Sequence, residues 1–204
     1  MNKVINVKDA LSKIKDKDSV IIGHLGNDTL TQSVMKTLGE TKAQDLFFVT
    51  VDSALNTNPV FKEILSSRTR GLITTALDAN SLPSNVSNEI ASEDLLIERV
   101  RAGGSGIPFF YVLGTGKESR MIDGKECVKE TAIKGDVAII RAKKADTDGN
   151  CYLPVGSLKK CNMYLPFSAK YVVAVVDEVV PVGEIAPEDV SIPGILVEAI
   201  VKAN

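Results

Sequence analysis

Apolar positions along this chain recur in two alternating rhythms. Between residues 7 and 15, Val7, Ala10, Leu11 and Ile14 share one face of a predicted helix, with Asn6 placed to cap it. The period then changes: Ser19-Val-Ile-Ile-Gly23 is a short continuous apolar run that reads as a buried strand ending in glycine. Leu30, Val34 and Leu38 return to helical spacing, and Gly39 is the expected C-terminal stop. Residues 46–51 repeat the strand signal, and Asn58-Pro59 opens a further helix through Phe61, Ile64 and Leu65, with proline at its favoured first position.

Residues 71–75 form a third predicted strand. The helix after it carries charges that match its dipole: Ser92 as cap, Glu93 and Asp94 in the first turn, Arg99 and Arg101 in the last turn before Gly103. Residues 108–112 read as extended, and the Asp123-Gly124 pair within residues 121–125 predicts a tight hairpin. Residues 136–141 and 171–176 are two more apolar runs of strand length. Strands apolar throughout and separated by helices imply an α/β fold: an open, mainly parallel sheet covered by helices on both faces, with a small antiparallel excursion. No Pro/Gly/Ser-rich linker or internal repeat divides the chain, so one domain is expected over residues 1–204.

Composition narrows the function classes. Lys+Arg 24 against Asp+Glu 26 gives a net charge of −2, which removes the electrostatic argument for a nucleic-acid partner. The apolar stretch from Tyr171 to Val182 is cut by Asp177 and Glu178, so no membrane span is expected. The charged N-terminal segment lacks the apolar run of a secretory signal, and a cytoplasmic location is the expectation. Cys127, Cys151 and Cys161 make an odd count without a Cys-x-x-Cys pair and are expected as free thiols, with no metal site.

Familiar chemical motifs fail on spacing. Gly114-Thr-Gly116-Lys117 lacks the earlier glycine and the following Ser/Thr of a Walker loop. Asp146-Thr-Asp148-Gly-Asn150 has its glycine fourth where a calcium loop needs it sixth, and reads as a turn. Gly103-Gly-Ser-Gly106 is not a nucleophile elbow, and any Ser-His pair would have to use His24, the only histidine. Gly23-His-Leu-Gly26 lies between a strand and a helix, where it is either a turn that needs glycine or a ligand loop at a helix N-terminus. His24 is correspondingly either a satisfied polar loop residue or a functional group. The Gly103, Gly104, Ser105 and Gly106 segment is either a tight crossover or a place of close backbone approach by a ligand or another chain.

Taken in order, Leu96-Ile-Glu-Arg-Val-Arg-Ala-Gly-Gly-Ser-Gly-Ile-Pro108, Phe110-Tyr111, Gly135-Asp-Val-Ala-Ile-Ile-Arg-Ala142, Ala145-Asp-Thr-Asp-Gly-Asn150, Pro187-Glu-Asp-Val190 and Ile192-Pro-Gly194 resemble the alpha subunit of the family I coenzyme A transferases. The resemblance implies a heteromer with a beta subunit of similar fold. It also implies that the beta subunit carries a glutamate which forms an acyl anhydride and then a glutamyl-CoA thioester in a ping-pong cycle, a form of covalent catalysis. The Ser-Glu-Asn-Gly signature of the beta subunit is absent here, so no catalytic nucleophile is expected in this chain.

By the same resemblance, the acyl-CoA and carboxylate substrates, of acetoacetate, butyrate or acetate type, meet the loop Gly23, His24, Leu25, Gly26, Asn27, Asp28 and Thr29. Gly103, Gly104, Ser105 and Gly106 brace the cleft or the interface. No permanently bound cofactor is implied, and CoA enters as a substrate thioester. One departure stands out: the family's Gly-Gly-Phe-x-x-x-Gly-x-Pro loop corresponds to residues 23–31, where only the first glycine is kept and His24 adds a side chain the family lacks. The rival expectation is a ligand-sensing domain that keeps the fold without catalysis.

Overall fold

A computed structural model of the chain describes residues 2–75, 86–116 and 118–202. Its elements in chain order are α1 (Val7–Leu11), β1 (Ser19–Ile22), α2 (Thr29–Glu40), β2 (Leu46–Thr50), α3 (Pro59–Arg68), β3 (Thr69–Thr74), β4 (Ser87–Ile90), α4 (Glu93–Gly104), β5 (Phe109–Leu113), β6 (Ser119–Ile122), β7 (Lys125–Thr131), β8 (Gly135–Asp146), β9 (Cys151–Tyr152), α5 (Ser157–Asn162), β10 (Ala169–Val180) and β11 (Ala199–Lys202). The main sheet runs β11-β10-β8-β1-β2-β3-β4, every neighbour parallel, with β9 added antiparallel to β8. β5, β7 and β6 form the separate antiparallel sheet, and Asp123 and Gly124, both with positive φ, make its hairpin turn.

Residue alternation along each strand divides the core into two layers. Val20, Ile22, Phe48, Ile139 and Val175 face α1, α2 and α3, whereas Ile21, Val49, Ile140, Ala174 and Val176 face α4 and the segment around Leu165. The edge-on pair Phe48–Phe61, with ring centroids 5.2 Å apart, seats α3 on the sheet. Each of the fully buried Val, Ile and Phe side chains among these contributes about 1.5–3 kcal/mol.

Helix starts follow the sequence closely. Asn6 accepts the Asp9 N–H, Asn58 accepts those of Val60 and Phe61 ahead of Pro59, and Ser92 accepts that of Leu95. Helix ends depart from it. The first helix stops at Leu11 rather than Lys15, because the Ile14 N–H bonds to the Leu11 carbonyl and turns the chain toward β1. Gly39 is not a stop: α2 continues to Glu40, and a Cβ at Gly39 would stand 2.7 Å from Val60 Cγ1, so the glycine lets α2 and α3 approach. Arg99 does not serve the helix dipole either. It is buried, donates to the Thr131 carbonyl and pairs with Glu89 on β4.

Candidate functional site at the strand-order reversal

β1 pairs with β2 on one side and with β8 on the other, so the order of the sheet reverses between β1 and β8. Open α/β sheets bind ligands in the crevice at the carboxyl ends of such strands. The loop of residues 23–28 leaves β1 at that point. The Gly23 N–H extends the ladder by donating to the Ile139 carbonyl at 2.9 Å, and a Cβ on Gly23 would lie 2.0 Å from Asn162 Oδ1. Gly26 adopts φ +81°, open to glycine without strain.

Asn162, fully buried at the end of α5, clamps this loop to the sheet. Its Oδ1 accepts the Arg141 N–H at 3.1 Å, and its Nδ2 donates to the His24 and Leu158 carbonyls at 3.1 and 2.7 Å. Below it the buried Arg141 guanidinium reaches Asp28, 2.7 Å from Nη2 to Oδ2, and Asp177 on β10. Asp28 also caps α2 by accepting the Thr31 N–H, and Lys143 pairs with Asp177 at 2.9 Å. Burial pushes the Asp28 carboxyl up, but Arg141 and the Thr31 amide outweigh it and hold Asp28 below its ordinary value. Burial likewise opposes, and Lys143 and Arg141 overcome it, in lowering Asp177. The two ends of the loop are therefore fixed, one to α5 and one to β8 and β10.

Of the sequence-predicted residues, Leu25 is buried and its carbonyl accepts the Thr31 hydroxyl at 2.9 Å, so its side chain belongs to the core. Thr29 begins α2. Gly26 and Asn27 line a cavity of 220 Å³ with Gln32, Leu55, Thr57 and Asn58, between the N-termini of α2 and α3. His24 is partly exposed at the loop, its Nδ1 3.3 Å from Oδ2 of the buried Asp52 just after β2. A larger cavity of 540 Å³, between α1 and the C-terminal end of α2, lies at the other edge of the sheet and gathers no convergent chemistry.

Gly103, Gly104, Ser105 and Gly106 are not brought to this crevice. A Cβ at Gly103 would lie 1.9 Å from the Ile133 carbonyl oxygen, and one at Gly104 2.7 Å from Phe167 Cβ. Ile133 and Phe167 lead into β8 and β10, so this segment packs at the amino ends of the strands, roughly 20 Å along β8 from the Gly23 loop at the rise of a strand. In this chain it therefore braces the opposite edge rather than the crevice. Gly106, with φ +76°, closes the turn, and Ser105 is exposed.

The Asp146-Thr-Asp148-Gly-Asn150 segment forms the expected turn. Asp146 Oδ1 accepts the N–H groups of Asp148 and Asn150 and Oδ2 accepts Asn150 Nδ2, while Asn150 Oδ1 accepts the Gly194 N–H. A Cβ on Gly194 would sit 2.5 Å from the Asp148 carbonyl, so the two motif blocks interlock as architecture. Among the described residues no group of three or more His, Cys, Asp or Glu side chains could hold a metal. No helix among them is long and apolar enough to cross a membrane. The three cysteines are free and buried, with burial as the first cause pushing Cys151 up to about 12 and Cys161 up to about 11. Of the glycine motif at residues 114–117, Lys117 lies outside the described residues.

Asn162, Asp52 and Arg141 were not singled out by spacing. Each is an ordinary polar residue in its local sequence, and only the pairing of β1 with β8 on one side and with β2 on the other gathers them. The one signal available is Arg141 directly after the apolar run Val137–Ile140, since a buried arginine needs carboxylate partners.

The sequence matches the family model described as Coenzyme A transferase over residues 4–203. It is 32% identical over 218 residues to the alpha subunit of a succinyl-CoA:3-ketoacid coenzyme A transferase of Helicobacter pylori, covering 100% of this chain and 94% of that one. It is 28% identical over 214 residues to the alpha subunit of the 3-oxoadipate CoA-transferase of Pseudomonas putida, covering 98% and 92%. In structure it is similar to glutaconate coenzyme A-transferase from Acidaminococcus fermentans, with a TM-score of 0.76 at 20% identity over 98% of this chain and 75% of that one, a likeness of fold.

Proposed function

Because the chain belongs to the coenzyme A transferase family, as a chain of the alpha-subunit type, we propose that it forms the acyl-substrate side of a cleft completed by a beta subunit. In this reading a glutamate of the beta subunit takes CoA from a donor thioester through an acyl anhydride. The resulting glutamyl-CoA thioester then passes CoA to a short carboxylate, in a ping-pong cycle of covalent catalysis. The names of the curated relatives favour a 3-keto acid of the acetoacetate type as one substrate, with butyrate and acetate as further candidates. The setting is a cytoplasmic hetero-oligomer that retains no bound cofactor.

The observation that carries the reading is the loop of residues 23–28, pinned at the strand-order reversal beside a 220 Å³ cavity at two helix starts. That volume lies below the about 300 Å³ at which pockets for drug-sized ligands begin. It suits a short acyl group and leaves the rest of a CoA thioester to be held by another chain.

The test is reconstitution. The isolated chain is expected to transfer no CoA, and activity is expected with its partner. Trapping the enzyme-CoA thioester with borohydride or hydroxylamine should mark a glutamate of the partner. A mark on this chain, or full turnover by it alone, would sink the reading.

A further inference from the structure

Asp52 lies two residues past the end of β2, beside the loop that leaves β1, and it is only 4% exposed. Its Oδ1 is used locally, accepting the Ala54 N–H at 2.9 Å to cap the turn of Ser53–Thr57. Its Oδ2 is buried and receives no hydrogen bond from the described residues, although His24 Nδ1 stands 3.3 Å away. Leaving a buried carboxylate oxygen without a donor is costly. The remedy in reach is a small rotation of the imidazole, because the His24 backbone is already held through its carbonyl by Asn162. Hydrogen bonds of this kind often align only when substrate is bound.

The imidazole is amphifacial in this setting. One edge meets the buried carboxylate; the ring nitrogen on the other side, Nε2, belongs to a side chain that is 39% exposed. We propose that Asp52 is a positioning residue that holds the Nδ1–H of His24, so that Nε2 addresses an oxygen of the bound acyl substrate. In the ion-paired form of the couple Nε2–H is a donor, and its target is a carboxylate oxygen of the acceptor acid or the thioester carbonyl of the donor. The proposal rests on the reading of this crevice as the acyl-substrate end of the cleft.

His24 is the only histidine of the chain, so labelling this chain alone with ¹⁵N-histidine yields a single imidazole to follow in complex with an unlabelled partner. The expected result is a proton retained on Nδ1 in the neutral as well as the charged ring, and a shift of the neutral ring to the Nε2–H tautomer in Asp52→Ala. A parent protein whose neutral imidazole carries its proton on Nε2 would overturn the proposal, whether or not the complex transfers CoA.

Kinetics of the assembled complex supply the second arm. Asp52→Ala and His24→Gln are each expected to lower kcat/KM by about tenfold or more, the scale of a hydrogen bond to a charged group. The double variant should be no worse than His24→Gln alone. A loss concentrated in KM for the carboxylate identifies the acceptor acid as the target, and one concentrated in KM for the thioester identifies the donor carbonyl. Additive losses, or an Asp52→Ala complex with parental constants, would overturn it. Asp52→Asn keeps the size of the side chain and an oxygen for the Ala54 N–H, and it replaces Asp52→Ala if the alanine variant does not assemble. A complex inactive with all donors and acceptors would tell against the transferase reading alone, because the imidazole spectrum of the parent still decides the placement of the proton.

Discussion

The chain has two glycine-dense loops, and they serve opposite ends of the same sheet. The loop of residues 23–28 leaves the carboxyl end of β1 and remains at the crevice, fixed by Asn162 on one side and by Arg141 on the other. The segment of residues 103–106 is driven into the amino ends of β8 and β10, where Gly103 and Gly104 leave room for the Ile133 and Phe167 backbones. Glycine density thus marks close approach in both cases, but position in the strand order separates a loop at the crevice from a packing contact.

The comparison predicts its largest effect at the packing loop. Gly103→Ala places a Cβ 1.9 Å from a backbone carbonyl oxygen that cannot rotate away. It is expected to cost about 3 kcal/mol or more, the upper end for overpacking, and to lower the yield of folded chain. Gly104→Val should behave similarly against Phe167. Urea midpoints measure both, and a parental midpoint for either would show that this edge is loosely packed.

At the ligand loop the corresponding change meets a side chain rather than backbone. Gly23→Ala brings a Cβ 2.0 Å from Asn162 Oδ1 and forces Asn162 to release the Arg141 N–H and the His24 carbonyl. A cost of about 2 kcal/mol is expected from unmade buried hydrogen bonds, with a loss of CoA transfer larger than the loss of stability would explain. Equal activity per folded complex would remove the distinction between the two loops.

A third prediction sharpens how the ligand loop is tied down. Asp28 and Asp177 ionise at lower pH in the folded chain than their ordinary value of 3.8. Their contribution is therefore complete above that value and is lost as the pH falls through the depressed values. Arg141→Met should lower stability by about 1–2 kcal/mol at pH 7, a figure kept small because about half of the Asp28 side chain faces solvent. The gap between parent and variant should narrow as the pH drops below 4. A gap unchanged by acid would show that Arg141 acts through packing rather than charge.

The smallest effect belongs to Ser105, which is exposed at the end of α4. Ser105→Ala should stay within about 0.5 kcal/mol of the parent and keep most activity. Loss of catalysis in Ser105→Ala would give the packing loop a chemical role.

Much of this molecule follows from local sequence. The caps Asn6, Asn58 and Ser92, the Asp-Gly hairpin, and the alternation of apolar strands with helices each depend on residues a few positions apart, where capping and turn chemistry act. That alternation was enough to assign a parallel α/β sheet. Weak signals failed in the expected places. β4 has four exposed residues and no apolar pattern, and it exists because β3 offers an edge and Arg99 holds Glu89.

The kinds of element and the family are legible in the sequence, which also offers residues 23–29 as a candidate ligand loop. Tertiary structure decided which residues surround that loop and where the second glycine segment goes. The Asn162–His24 contact spans 138 residues and the Arg141–Asp28 contact 113, distances over which no propensity or spacing carries information. Gly39 and Arg99 show the same limit in miniature, since a glycine read as a stop and an arginine read as a dipole partner were both claimed by neighbours from other elements. Local free energies choose helix or strand residue by residue; the burial of two sheet faces sets the strand order, and the strand order alone places His24 beside Asp52.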